Sequence, residues 1–446
     1  MIRPDDHADG FSRQHQPTPD PSGPAMPAFD PAGLPEMDVA GRLPRLRRRL
    51  AEEGLDALVV TTLTNLRYLT GFTGSAGVLV VRAGDSSGDR PGGAGTLLLT
   101  DGRYRTQSAE QLAAAGVDAE IEIGRPPAQL EALVKATRSL RRVGLEAADV
   151  SWARQRAMAE AFAGNGEGGG DDTDAGPPPD PPSPPPGPPA TVATTAAMAA
   201  AAGPELVPTT GLVEGLRIVK DAGELARMQA AAAVADAALA LVRPMLLDRP
   251  TELEVALALD YQMRLLGAES SSFETIVAGG PNGAKPHARP SSRPIDPGDL
   301  VVIDFGALVD GYCSDMTRTL CVGPPGTPLL QAVVEVVAAS QAAGVAAVAP
   351  GVEAVEVDRV CREVIAGAGW AEAFVHGTGH GVGLDVHEAP GVAATSTDKL
   401  AESSVVTVEP GVYLPDHGGA RIEDTVVVTA GGCRALTRAP KDLVVT

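Results

Sequence analysis

The sequence predicts two domains of different class: an α/β domain, then an α+β domain built on a pseudo-twofold internal repeat. Three observations carry this. Strand and helix patterns alternate from residue 41 to about 163. From Asp221 onward, the order helix, helix, loop and two strands occurs twice, over 223–320 and over 328–429. Between these regions, GNGEGGGDDTDAGPPPDPPSPPPGPPA (164–190) has a composition that cannot bury a core.

The elements follow in order. Residues 1–40 are rich in Pro, Asp and Gly without a hydrophobic period, which predicts a disordered tail. GRLPRLRRRLAEEG reads as a helix ending at Gly54, followed by the strand LDALVVT. LRYLTGF, AGVLVV and TLLLTDGRY read as further strands with Gly or Asp-Gly turns. SAEQLAAAG reads as a helix, AEIEIG as a strand, PAQLEALVKATRSL as a helix and RRVGLEA as a strand. ELVPTTGLVEGL closes a first domain over 41–216, which carries a disordered Pro/Gly-rich insertion over 164–203. The second domain spans 217–446. Its first helix opens at DAGE and its second at TELE, each with the spacing of a capping box. Strands follow in FETIVAGG, DLVVIDFGALV and YCSDMTRTLCV.

Totals narrow the function. With 36 Lys and Arg against 57 Asp and Glu, the net charge of −21 disfavours nucleic acid and anionic membranes as partners. No apolar run reaches the ~18 residues of a membrane span, and MIRPDDHADGFSRQHQ lacks the apolar core of a secretory signal. A cytoplasmic protein is expected. The four cysteines form no CxxC and read as reduced thiols; Cys313, two residues before Asp315, reads as a small buried side chain.

The chemistry concentrates in the second domain. In VVIDFGALVDGYCSDMTRT, the Asp310-Gly311 pair predicts a two-residue hairpin with Val309 opposite Tyr312. That register puts Asp304 opposite Thr317, with Asp315 a diagonal neighbour on the same face. Two acids on one face of an apolar strand pair repel unless a cation holds them. SVVTVEPGVYL and ARIEDTVVVT repeat the pattern, with Glu409 ending one strand and Glu423 inside the next. Arg421 alternates onto the face of Glu423 as its expected charge partner. Five of the seven histidines lie between His287 and His417, three of them in HGTGHGVGLDVHE (376–388). Four carboxylates and one imidazole suit two divalent cations, with Mn²⁺ the favoured ion and Co²⁺ or Zn²⁺ alternatives. The glycines are expected to let backbone approach the metals and substrate.

IDFGALVDGYCSDMTRT, HGTGHGVGLDVHE, VEPGVYL and RIEDTVVVT resemble the metal-binding motifs of the pita-bread metallopeptidases. YLTGFTGSAG and LLLTDGRYRTQSAEQ are similar to the creatinase-like N-terminal domain of their proline-specific members. The resemblance runs from 41 to 446 outside the insertion. It implies Asp304, Asp315, His380, Glu409 and Glu423 as metal ligands, with Asp315 and Glu423 bridging. It also implies His287, in PHARPSS, and His387 as substrate-binding and catalytic, Glu409 as proton acceptor, Arg421 as a supporting arginine and His376 as a pocket residue. The implied activity is that of a Xaa-Pro aminopeptidase acting on short proline-containing peptides, expected as a homodimer. A Xaa-Pro dipeptidase shares the motifs. A metal-free creatinase-type hydrolase or a binding protein on this fold lacks the ligands that this chain has. Methionine aminopeptidase lacks the long N-terminal domain.

Overall fold

The computed structural model describes residues 33–84, 95–164 and 203–446. Most of the expected tail and nearly all of the expected insertion lie outside these residues. The last residues of the tail are ordered, contrary to expectation. Val39 is buried in the N-terminal core, the Pro35 carbonyl accepts from Arg227, and the Asp38 amide donates to Asp221. An apolar residue and two backbone groups with partners are enough to pin this short stretch.

The first helix, α1 (Arg42–Glu52), buries Leu43, Leu46 and Leu50, an apolar stripe at helical spacing. It packs on a six-stranded sheet in the order β4-β3-β2-β1-β5-β6. The strands are β1 (Ala57–Val60), β2 (Val78–Arg82), β3 (Thr96–Thr100), β4 (Glu120–Ile123), β5 (Arg142–Glu146) and β6 (Glu205–Thr209). The segment LRYLTGF is not a strand. It falls largely in the helix α2 (Leu63–Thr70), which ends at Gly71 with φ +73°. The glycine caps a helix where a strand turn was expected. TLLLTDGRY is a strand only to Thr100; the Asp101 carboxylate then accepts from the Arg103 amide and starts a 3₁₀ turn. The helices α3 (Arg105–Ala114), α4 (Pro126–Thr137) and α5 (Trp152–Gly164) complete the layer. A one-turn helix, α6 (Glu214–Arg217), leads into the second domain.

There, α7 (Ala222–Val242) and α8 (Glu252–Leu265) open with the two expected capping boxes, at Asp221/Glu224 and Thr251/Glu254. They cover a four-stranded sheet ordered β20-β12-β9-β8. The strands in chain order are β7 (Ser270–Ser271), β8 (Ile276–Gly279), β9 (Leu300–Phe305), β10 (Ala307–Val309), β11 (Tyr312–Cys313) and β12 (Met316–Val322). The second half repeats the plan. Helices α9 (Pro328–Ala347) and α10 (Ala354–Gly367) cover a five-stranded sheet ordered β14-β13-β15-β18-β19. The strands of this half are β13 (Gly379–Gly381), β14 (Glu388–Val392), β15 (Val405–Val408), β16 (Gly411–Leu414), β17 (Gly418–Arg421), β18 (Asp424–Thr429), β19 (Gly432–Ala435) and β20 (Val444–Val445); β16 and β17 pair apart as a two-stranded sheet, and β20 joins the four-stranded sheet of the first half. The triplets β8-β9-β12 and β13-β15-β18 correspond, so the internal repeat is structural.

One expectation from composition fails. The helical stretches 222–248 and 328–347 are each long and apolar enough to cross a membrane by length and composition alone. Their inner faces form the domain core, through Ala231, Val234, Ala235, Ala238 and Val242 in one and Val333 and Val337 in the other. Alanine and valine along a core helix raise its hydropathy as a membrane span would.

Candidate metal centre

Both carboxylate hairpins break in the middle, and the acids sit beside the breaks. In the first, Val309 is opposite Tyr312 and Asp304 opposite Thr317, as the Asp310-Gly311 turn predicts. The two pairs belong to different sheets. The chain passes between them at Gly306 on one strand and at Ser314–Asp315 on the other. A Cβ on Gly306 would lie 1.9 Å from the Ser314 carbonyl, so only glycine fits the crossing. In the second hairpin, Val408 is opposite Asp424 and Gly411 opposite Arg421. Glu409 and Glu423 flank the gap. Glu423 is therefore between strands, not inside one as expected.

His380 comes from β13, squeezed between two neighbours. Cβ atoms at Gly379 and Gly381 would meet the carbonyls of Thr407 and Ala389 at 2.1 and 2.3 Å. These glycines permit close strand-to-strand approach, and Gly379 with Gly377 also lines the cavity. The Thr407 hydroxyl accepts from the His380 amide and donates to Glu409, tying imidazole and carboxylate to one strand.

All nine candidate residues line one cavity of about 500 Å³: His287, Asp304, Asp315, His376, His380, His387, Glu409, Arg421 and Glu423. Ligand atoms of Asp315, His380 and Glu423 lie within 4.8 Å of one another. His380 Nε2 is 3.3 Å from Glu409 and 3.6 Å from Asp315, while Nδ1 donates to the Gly381 carbonyl. That second bond fixes the tautomer and leaves Nε2 facing the acids. The His387 ring is 4.3 Å from the His380 ring.

Arg421 does not pair with Glu423 as expected. It donates to Asp304 at 2.6 Å, to the Tyr413 hydroxyl at 2.7 Å and to Thr317 at 3.1 Å. Glu423 instead accepts from Thr317 at 2.7 Å. Alternation was counted along one unbroken strand, and the break turns the two side chains apart. Tyr413 has no counterpart in the sequence reading. Because the Gly377 carbonyl can only accept, His376 donates to it from Nδ1 and accepts the Tyr413 proton at Nε2. A lone tyrosine in the apolar strand GVYL reads as ordinary core, so nothing in the sequence marked it.

The electrostatics are those of a cation site. Burial, then repulsion from Glu423, Asp304 and Glu409, drives the Asp315 carboxyl well above its ordinary range. Burial and the same neighbours do so for Glu423. Burial works against the charge of Glu409 too, but the hydrogen bond and charge of His380, with Arg421 and His376, outweigh it and hold Glu409 low. Burial lowers His376 and His387, the latter also through the His380 charge. Asp304 Oδ1 and Glu423 Oε1 are buried without a hydrogen-bond partner among the described residues. Buried carboxylate oxygens are costly to leave unpaired. Oxygen-rich donors with one imidazole, two of the oxygens orphaned, fit divalent cations.

Residues 226–430 match the family described as Metallopeptidase family M24, and residues 42–169 match the Creatinase/Prolidase N-terminal domain. An uncharacterised peptidase of Bacillus subtilis, YqhT, is 36% identical over 404 residues, which is 91% of this chain and 99% of that protein. The chain belongs to metallopeptidase family M24. Among solved structures, the M24 chain is similar to a Xaa-Pro dipeptidase from Bacillus anthracis, with TM-score 0.75 and 34% identity over 91% of this chain and 99% of that one. It is also similar to an X-Pro aminopeptidase from Thermotoga maritima, with TM-score 0.71 and 29% identity over 89% and 100%. The creatinase-like N-terminal domain and pita-bread catalytic domain implied by the motifs are thus the architecture of this M24 peptidase.

Proposed function

We propose that the chain hydrolyses the peptide bond between an N-terminal residue and a following proline, using two divalent cations. The single observation that carries this is the cluster of Asp304, Asp315, His380, Glu409 and Glu423 around one cavity, in which two buried carboxylate oxygens have no hydrogen-bond partner among the described residues. Asp315 and Glu423 would be shared between the ions, Asp304 would hold one, and His380 and Glu409 the other. Mn²⁺ is the favoured ion, with Co²⁺ or Zn²⁺ as alternatives. When bound, such a pair supplies an acidified water and an electrophile for the scissile carbonyl.

The chain's own residues do the rest. Glu409, which would also hold an ion beside His380, is the carboxylate we assign to accept the proton of the attacking water. His387, kept neutral by its surroundings, offers an N–H to the oxygen that gains charge. The departing proline nitrogen must be protonated, and His287 and His387 line the cavity where that happens. Arg421 holds Asp304 and Tyr413 in place. Cytoplasmic placement accords with four free cysteines, of which burial pushes Cys321 and Cys361 up to about 11.

We read the enzyme as an aminopeptidase that accepts chains longer than two residues. A dipeptidase needs a fixed cation to capture the proline carboxylate. Arg421 is committed within the site, and Arg293 turns away to Asp299 at 2.7 Å. Two observations favour the dipeptidase reading: Xaa-Pro dipeptidases outnumber aminopeptidases among the similar proteins, and Arg289 lines the cavity. Its loop is braced, not mobile, because buried Glu252 accepts from the Ser291 amide and hydroxyl. Yet the Arg289 side chain is 83% exposed and tied only to Glu274 at 3.3 Å, a poor stop. We expect higher kcat/KM on Xaa-Pro-Yaa than on Xaa-Pro, and no turnover of Xaa-Ala-Yaa. Preference for dipeptides makes the chain a prolidase, and activity that survives exhaustive chelation removes the metal reading.

A further inference from the structure

His387 stands on a loop held from several sides. Glu388 pairs with Gly381 of its own half, Leu384 and Val386 pack against the cluster of Val405 and Val427, and the Gly383 carbonyl accepts from the Cys313 amide of the first half at 2.8 Å. Residues 384–388 are also gripped by the N-terminal domain and the linker behind it. Leu384 packs against the N-terminal core cluster. Asp385 accepts from the Thr64 hydroxyl of α2 at 3.0 Å and from Arg217 at 2.7 Å. Glu388, the residue after His387, accepts from Arg217 on one oxygen and from Lys220 at 2.7 Å on the other. The side chains of Arg217, Lys220 and Glu388 are only 4, 1 and 6% exposed.

The grip continues into the N-terminal sheet. Arg217 also donates to the Asn65 side-chain carbonyl at 2.9 Å, and the Asn65 amide donates to Glu146 and Glu214. Glu146, at the end of β5, accepts from the backbone amides of Thr61 and Thr62. A continuous polar chain thus runs from the first sheet to the residue beside His387.

We infer that Arg217 and Lys220 are positioning residues for the reaction: they set the pose of the 383–388 loop, and through it the imidazole of His387. This rests on the role given to His387 under the proposed function. Glu388 faces the two cations while the His387 ring meets His380 in the cavity. Two donors on separate oxygens define the plane and direction of one carboxylate, which a single contact does not. Buried ion pairs add little net stability over well-packed apolar groups, and fixing geometry is the better-attested use. The N-terminal domain on this reading is part of the catalytic apparatus, beyond walling the cleft.

The test uses the full chain loaded with Mn²⁺. Arg217→Met should lower kcat about 10- to 100-fold while KM moves less than about 3-fold, because misplacing a catalytic group mainly harms the transition state. Metal content should stay the same, and Arg217→Lys should recover part of the loss. In a His387→Ala background the same substitution should cost under about 2-fold, since effects that travel through one residue do not add. Hydrogen exchange at 383–388 should rise in Arg217→Met and not elsewhere around the cavity. Equal losses in both backgrounds, or unchanged exchange, overturn the inference. If Arg217→Met does not fold, Thr64→Val removes one bond to the same loop and carries the same comparison. Full activity of His387→Ala would overturn the role of His387 itself, and the anchoring of the loop is then decided by exchange alone.

Discussion

Asp315 and Glu423 are raised well above ordinary carboxyls by burial and by repulsion from neighbouring acids, Asp304 and Glu409 acting on both, and the sign of the consequence is fixed. Above an unfolded value near ~4, the folded metal-free chain holds more protons than the unfolded one, so its stability falls as pH rises. Cations need the deprotonated ligands and bind more tightly in the same direction. The rise in melting temperature on adding Mn²⁺ to metal-free protein should therefore be larger at pH 8 than at pH 5.5; a pH-independent rise would contradict the cluster. Asp315→Asn and Glu423→Gln remove a buried acid, and with it the cost of keeping that acid protonated in the fold, without changing shape. Each should abolish binding of both ions by equilibrium dialysis, yet leave the metal-free protein as stable as the parent or about 1–2 kcal/mol more so. Loss of only one ion would deny those residues a shared role. Tyr413→Phe leaves His376 Nε2 and one Arg421 donor without a partner, at a cost of about 1–3 kcal/mol by urea unfolding. A cost near zero would mean that water replaces the hydroxyl.

At the scale of elements, what could be read from sequence was whatever local spacing determines. The hairpin register followed from Asp310-Gly311, and both capping boxes followed from three-residue spacing. The boxes now differ in context. Thr251 caps α8 at the surface, whereas Asp221 caps α7 and also accepts from Arg42 at 3.1 Å, a guanidinium almost wholly buried. Thr251→Ala should cost about 1 kcal/mol and Asp221→Ala about 2 or more, because the second also takes one of two carboxylates from buried Arg42, which keeps Glu224. Denaturant melts giving equal losses would remove the distinction. What could not be read was set by tertiary placement. The tyrosine and leucines of LRYLTGF suit a strand as well as a helix, and only their burial beside β1 and α1 selects α2. The breaks at Gly306 and Glu423 arise from one hairpin serving two sheets, so alternation counted across them misassigned Arg421. Arg217 and Lys220 lie far in sequence from the loop they hold.

For the whole molecule, the Bacillus anthracis structure covers 91% of this chain while being covered to 99% itself, so its fold closes without every segment present here. Deleting 166–188, whose composition cannot repay the entropy of ordering, is expected to leave melting temperature and turnover nearly unchanged; a large fall in either would make the segment structural. The two halves, by contrast, are not separable. Arg318 of the first half donates to the carbonyls of Glu423 and Ala439 and to the Asp424 side chain, and β20 pairs in parallel with β12 inside the first half's sheet. Thr317 reaches across to Glu423 in the same way. This stitching has a consequence in time. While the chain is being made, Asp304 and Asp315 leave the ribosome long before Glu409 and Glu423, and until the later strands dock, the earlier pair has neither its walls nor its remaining donors. An emerging chain therefore has no finished socket in which to trap whichever ion is abundant. The grouping of Asp315 from one half with His380 and Glu423 from the other is a property of the completed molecule alone.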